Sequence, residues 1–134
     1  MNKETVFKNA KATMVYYPNE KIIHNTFKGR PTGKEFRDAL NAGVEVMKKR
    51  GGSKWLSDDR EHQVDFTSDE QVWADTDWFP RMVEAGWKTW AMVVPTAVKD
   101  RMNVKEIIDK IYDQGIRVAV FTDVDEALDW LKKA

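Results

Sequence analysis

Two β-rich apolar runs, Ala12 to Tyr17 and Lys21 to Phe27, are separated by Pro18, Asn19 and Glu20. So short a turn-forming spacer predicts an antiparallel hairpin. Thr32 stands three residues before Glu35, the spacing of a capping box, and Phe36, Leu40, Val44 and Met47 follow at helical intervals until Gly51 and Gly52. The pattern predicts a helix opened by Thr32 and stopped by the glycine pair. Trp55 and Leu56 mark a short strand, and after a polar loop either Thr67 with Glu70 or Ser68 with Gln71 offers the next capping box. Pro80 cannot donate to the carbonyl four residues back. The pattern therefore predicts a broken helix, one segment to about Thr76 and a second capped by Asp77, with Phe79, Met82 and Val83 facing inward.

Thr89 to Val94 is a near-continuous apolar run closed by Pro95, which predicts a central strand buried on both faces. Asn103 with Glu106 opens a periodic helix carrying Val104, Ile107, Ile108 and Ile111, and Gly115 closes it. Ile116 to Phe121 is the last strand. Asp123 with Glu126 then caps a terminal helix whose inner face is Val124, Ala127, Leu128 and Leu131.

A hairpin leading into three crossovers gives the order β-β-α-β-α-β-α-β-α. Right-handed crossovers then place four main helices over a mixed, mainly parallel sheet of about five strands, an α/β fold in a single domain over residues 1–134. The element order, together with SKWLSDDR (Ser53 to Arg60) and DWFPRMVEAGWKTWAMVVP (Asp77 to Pro95), resembles the SpoIIAA-like branch of the STAS domains, named for anti-sigma factor antagonists and sulfate transporters. The likeness runs from about Ala12 to Leu131. The two stretches look like recurrent segments of small bacterial members of that branch. The resemblance implies a regulatory, non-enzymatic domain that works by binding, and some relatives look like lipid-binding domains.

Composition narrows the chemistry. The chain has 134 residues, 22 basic against 22 acidic, six Trp and no Cys. Disulfides, thiolate nucleophiles and Cys-based metal sites are excluded. Residues 1–66 carry 13 basic and 9 acidic side chains, residues 67–134 the reverse, and nowhere are five or six like charges clustered. A nucleic-acid partner is not expected. No apolar run approaches the ~20 residues of a membrane span, and the N-terminal stretch has no apolar signal region. The expectation is a soluble cytoplasmic protein.

Ligands of a parallel sheet sit beyond the carboxyl ends of its strands, where helix N-termini also point. That edge gathers Arg30, Asp58, Arg60, Thr67, Ser68, Thr96 and Asp123 as candidate ligand-binding residues, Arg30 and Arg60 supplying cations for an anion. The plainer reading is that Thr32, Ser68 and Asp123 are caps that consume those N–H groups. Asp58, Asp59 and His62 form the densest polar cluster and could support a small enzyme by acid–base work or by holding a hard metal ion. A solvated loop is the reading preferred, with no metal, no cofactor and no catalytic residue assigned. His24 reads as a surface or pairing residue of its strand. Gly51 to Lys54 superficially resembles a phosphate cradle but lies at the wrong edge of the sheet, so it reads as a helix stop. Phosphorylatable STAS regulators carry a Ser or Thr at the start of the helix after the third strand, and the counterparts here are Thr67 and Ser68. Asp65, Asp69 and Glu70 would repel a phosphate there, so capping is preferred.

Trp73, Trp78, Trp87 and Trp90 fall within eighteen residues, and Trp130 falls off the apolar face of the last helix. The plainer reading is that these rings pack around the Pro80 break and cover the sheet edge. The alternative is that a helix interrupted there splays rings outward, which makes Trp73, Trp78 and Phe79 the interface candidate. The functional expectation is a protein partner or homodimer first and a small apolar (lipid-like) or anionic ligand second.

Overall fold

The hairpin forms as the pattern predicts: β2 (Ala12–Tyr17) and β3 (Ile22–Gly29) pair antiparallel, with Tyr17 opposite Ile22 next to the turn. The structure, a computed structural model, describes residues 1–65 and 67–134. Phe66, inside the polar loop expected between Leu56 and Thr67, lies outside the described residues. β1 (Glu4–Lys8) adds antiparallel to β2, so the sheet has six strands where about five were expected. A side chain makes this reversal: Asn9 Oδ1 accepts from the N–H groups of Lys11 and Ala12 at 3.0 and 2.9 Å.

From β3 the chain steps in one direction. β3, β4 (Lys54–His62), β5 (Thr89–Val93) and β6 (Arg117–Phe121) are parallel neighbours, giving the sheet order β1-β2-β3-β4-β5-β6. Right-handed crossovers that always step the same way put their helices on the same face. α1 (Gly33–Arg50), the helical segment 69–84 and α5 (Val104–Tyr112) share that face. α6 (Val124–Lys133) follows the last crossover and covers the opposite face, where Ala127, Leu128 and Leu131 pack on Ile22, Leu56, Ala91 and Val93.

α1 is closed at both ends by the chemistry its sequence announces. Glu35 N–H donates to Thr32 Oγ1 at 3.1 Å and Thr32 N–H to Glu35 Oε1 at 2.8 Å, while Gly51 ends the helix at φ 71°. Gly43 lets α1 lie close on β4, because a Cβ there would stand 2.6 Å from the ring of Trp55.

The helix around Pro80 is widened rather than broken. α2 (Asp69–Trp73) runs through a π turn, Ala74–Trp78, directly into α3 (Phe79–Glu84). Phe79 N–H donates to Ala74 O, five residues back. The wider turn absorbs the donor that Pro80 lacks. Asp77, expected to cap a second segment, binds Arg81 at 2.8 Å instead, and Arg81 also donates to Asn41 Oδ1 at 2.8 Å, tying the segment to α1.

Two further expectations need correction. The polar stretch after Leu56 is strand, not loop, because Lys28 and Gly29 at the end of β3 pair with Glu61 and His62. A short helix, α4 (Thr96–Arg101), also follows Pro95 before Asn103 caps α5, where Glu106 N–H donates to Asn103 Oδ1 at 3.2 Å. α5 contains no fully buried residue. Among the described residues no helix is long and apolar enough to cross a membrane.

Candidate functional site

The α1 face carries an aromatic core in which Trp55, Trp78, Trp87 and Trp90 stand with successive ring centroids 5.6, 5.4 and 5.2 Å apart. Towards the carboxyl ends of β3, β4 and β5 this core opens into a cleft of about 620 Å³, within the ~300–1,000 Å³ usual for small-molecule sites. One wall is Ala74, Trp78 and Phe79 from the π turn and α3. The other is Val98, Met102 and Ile107 from α4 and α5, and Phe36 and Leu40 of α1 close the back.

The sheet is the floor, and parallel register arranges it in rows. Ile23, Trp55 and Trp90 form one row, and Asn25, Ser57 and Met92 the next. Ala91 and Val93 are 0% exposed on the α6 side of β5, whereas Trp90 and Met92 on the cleft side are only half-buried. The expected burial of this strand on both faces holds for one face, and the other opens on the cleft. Trp90 Nε1–H donates to Ser57 Oγ at 2.8 Å. Asn25 is 2% exposed, and its Oδ1 has no hydrogen-bond partner among the described residues. Buried polar atoms are ordinarily paired, so Asn25 Oδ1, sealed beneath the cleft floor, is an exception in this fold.

Beyond the second row the register shifts. Thr26 pairs with Asp58 but Lys28 pairs with Glu61, so β4 takes three steps where β3 takes two. Such a bulge reverses the alternation of side chains. Asp59 and His62, three residues apart, consequently both line the cleft, and His62 Nδ1–H donates to Asp59 Oδ1 at 3.0 Å. A carboxylate only accepts, so this bond places the proton on Nδ1 and leaves Nε2 an acceptor in the neutral ring. Phe27 flanks the imidazole with centroids 4.8 Å apart.

Asp58 is separated from this pair, which corrects the expected Asp58/Asp59/His62 cluster. It is 5% exposed and takes a two-pronged bond from Arg60, Nε to Oδ1 and Nη2 to Oδ2, both 2.9 Å, on the α6 side. Burial pushes its carboxyl up, but the Arg60 hydrogen bonds outweigh that and hold it below the usual carboxylate value. His24 shares the α6 side. It stacks on Tyr17, whose hydroxyl hydrogen-bonds Nδ1 at 3.0 Å, and burial pushes the imidazole down to about 4 despite nearby Asp58. Among the described residues no three His, Cys, Asp or Glu side chains lie together as a metal-binding group.

The remaining strand-end candidates disperse. Arg30 Nε–H donates to Gln63 Oε1 at 2.7 Å and shares a shallow groove with Thr67 and Ser68. Thr67 donates its hydroxyl and its N–H to Asp65 Oδ1 at 2.7 and 2.9 Å, and Ser68 caps α2 by accepting from Gln71 N–H at 3.2 Å. Thr96 is exposed at the start of α4. Asp123 caps α6, accepting from Asp125 and Glu126 N–H at 2.7 and 3.3 Å.

The exposed aromatic patch expected at Trp73, Trp78 and Phe79 does not form. Trp78 is 6% and Phe79 9% exposed, and Trp78 Nε1–H donates to Leu40 O at 2.7 Å. The π turn rotates both rings inward, where the expected break would have splayed them out. Trp73 is half-buried between two guanidinium groups, Arg37 at 4.9 Å and Arg81 at 5.8 Å from its ring. Trp130 packs on Phe121 with centroids 5.8 Å apart.

Asn25 and Ser57 escaped the sequence reading, although each leaves a trace in it. Ile23-Asn25-Phe27 and Trp55-Ser57-Asp59 are alternating inward positions with a polar residue where an apolar one belongs. No family model matches the chain, and neither a curated protein nor a solved structure matches it.

Proposed function

We propose that the chain is a non-enzymatic binding domain, similar in element order to the SpoIIAA-like STAS domains, whose cleft takes a small apolar ligand. The observation that carries this reading is the cleft itself: a mainly apolar cavity of about 620 Å³ between two helical walls. The half-buried apolar side chains of α4 and α5 support it, because a ligand would complete burial that the fold leaves partial. A protein partner or homodimer was the first expectation, but its support was an outward aromatic patch, and two of its three rings are buried. The Asp59–His62 pair favours a second reading as an enzyme's general base. That reading is weaker, because among the described residues no hydroxyl bonds to His62 Nε2 to serve as a nucleophile.

Titration with 1-octanol tests the ligand reading. A compound that binds only the folded state raises the melting temperature with concentration, and Trp90 beside the cleft should change its emission in parallel. Val98→Trp, which fills the mouth from α4, should abolish both responses. If neither response appears in the native sequence, the cleft is not an apolar ligand site.

A further inference from the structure

We infer that the segment 96–114, which carries α4 and α5, is a lid that closes on an apolar molecule in the cleft while the opposite wall stays fixed. This inference rests on the reading of the cleft as an apolar ligand site and adds how that site closes.

The two walls are held in different ways. The wall made by α2, the π turn and α3 is tied to α1 by directional bonds. Arg37 Nε–H donates to Glu70 Oε2 at 2.6 Å, Trp78 Nε1–H to Leu40 O at 2.7 Å, and Arg81 Nη2–H to Asn41 Oδ1 at 2.8 Å. The α4–α5 wall has no such tie. Among the described residues, every hydrogen bond and ion pair made by 96–114 stays within 95–116, as with Lys99 N–H to Pro95 O, Arg101 Nε–H to Ala97 O and Lys105 Nζ to Asp109 Oδ2. Its contact with the body is apolar and partial: Val98, Met102, Ile107 and Ile111 are half-buried, and neither helix contains a buried residue. Apolar attraction follows the area covered and is non-directional. A small slide therefore costs this wall little, whereas it would break the bonds of the other.

The ends of the segment are fixed and its interior is not. Val94 and Ile116 are buried, and Val94 N–H donates to Phe121 O at 2.9 Å. Between them, Met102 is extended where α4 meets α5, with φ −82° and ψ 143°, and Gly115 turns at φ 89° in open space. A ligand drives closure only through contacts that the closed state makes better. Val98, Met102 and Ile107 line the cleft with apolar surface still exposed, so closing over a molecule on the floor removes their surface and the ligand's from water together. Asp75 and Arg101 stand exposed on opposite walls of the mouth, and their attraction acts in the closing direction.

The chain has no Cys, so introduced cysteines alone carry spin labels. Val72→Cys with Lys110→Cys places one label on α2 and one on α5, both at exposed positions, and Val72→Cys with Lys48→Cys on α1 is the reference pair within the body. Binding of 1-octanol is first established by the rise in melting temperature. At saturation the distance between labels at 72 and 110 should shorten by about 2 Å or more, the scale of a helix shift, and its distribution should narrow. The distance between 72 and 48 should stay unchanged. Hydrogen exchange reads the same movement in the unlabelled native chain and decides alone should a labelled pair not fold. Without ligand, amides of 107–112 should exchange about tenfold faster than those of 128–131, and 1-octanol at about ten times its dissociation constant should slow them about tenfold. A rise in melting temperature with the 72-to-110 distance or the α5 exchange unchanged would overturn the lid and leave the apolar cleft standing. No rise in melting temperature of the native chain would overturn both.

Discussion

Trp78 shows how one turn of backbone decides what a side chain does. Its ring touches Trp55 and Trp87 and its N–H is spent on Leu40 O, so Trp78→Ala should destabilise by about 3–5 kcal/mol, the cost of a large cavity. Chemical denaturation measures this, and a loss below about 1 kcal/mol would place the ring outside the core. The sequence could not show this, because whether Pro80 breaks a helix or widens it depends on the packing that receives the neighbouring rings. His24 was equally illegible. Its strand position was clear, but the Tyr17 ring above it and the burial that follows belong to the tertiary structure. The imidazole is held at about 4 against an ordinary 6.5, with Asp58 favouring its charge and Lys3 and Arg60 opposing it. The unfolded chain therefore takes up this proton first. Its contribution is complete above pH 6.5, falls between 6.5 and 4, and is lost below. Across that window it should amount to roughly 3 kcal/mol, so His24→Gln should lose that much less stability on acidification. Parallel melts at pH 7 and pH 4 read the difference, and equal slopes would refute it.

Among the elements, those with strong end signals were the most legible. α1, α5 and α6 start at Thr32, Asn103 and Asp123 as their capping residues announce. β1 was not, since a five-residue strand at a sheet edge has a weak pattern and needs β2 to define it. β4 was underread because its charges resemble a loop, although Arg60 and His62 pair two of the three acids in the strand. The amphipathic pattern of α5 was read correctly as a pattern and too strongly as packing. Ile107 lines the cleft and is half-buried, whereas Leu131 of α6 is 0% exposed. Ile107→Ala should accordingly cost about 1 kcal/mol and Leu131→Ala about 3–4 kcal/mol. Comparable losses in denaturant melts would show that α5 is as firmly seated as α6.

For the whole molecule, α/β class and mainly parallel pairing were readable, since strands alternating with helices leave few topologies. The cleft was not readable. It arises where a bulge in β4, a π turn and two loosely seated helices meet, and none of these has a local signature strong enough to name. The strand order has a kinetic consequence. Each new strand joins the edge left by the one before it, so a chain emerging from synthesis can extend the sheet stepwise without inserting a strand between earlier neighbours. The opposite face cannot follow in the same way. Ile22, Leu56, Ala91 and Val93 stay uncovered until α6 is available, because that helix comes after the final strand. An intermediate with a finished sheet and one bare apolar side should therefore precede the native state. It should bind a hydrophobic dye transiently during refolding, and Leu131→Ala should prolong that phase, whereas a refolding trace without a dye-binding phase would mean that α6 docks together with the sheet.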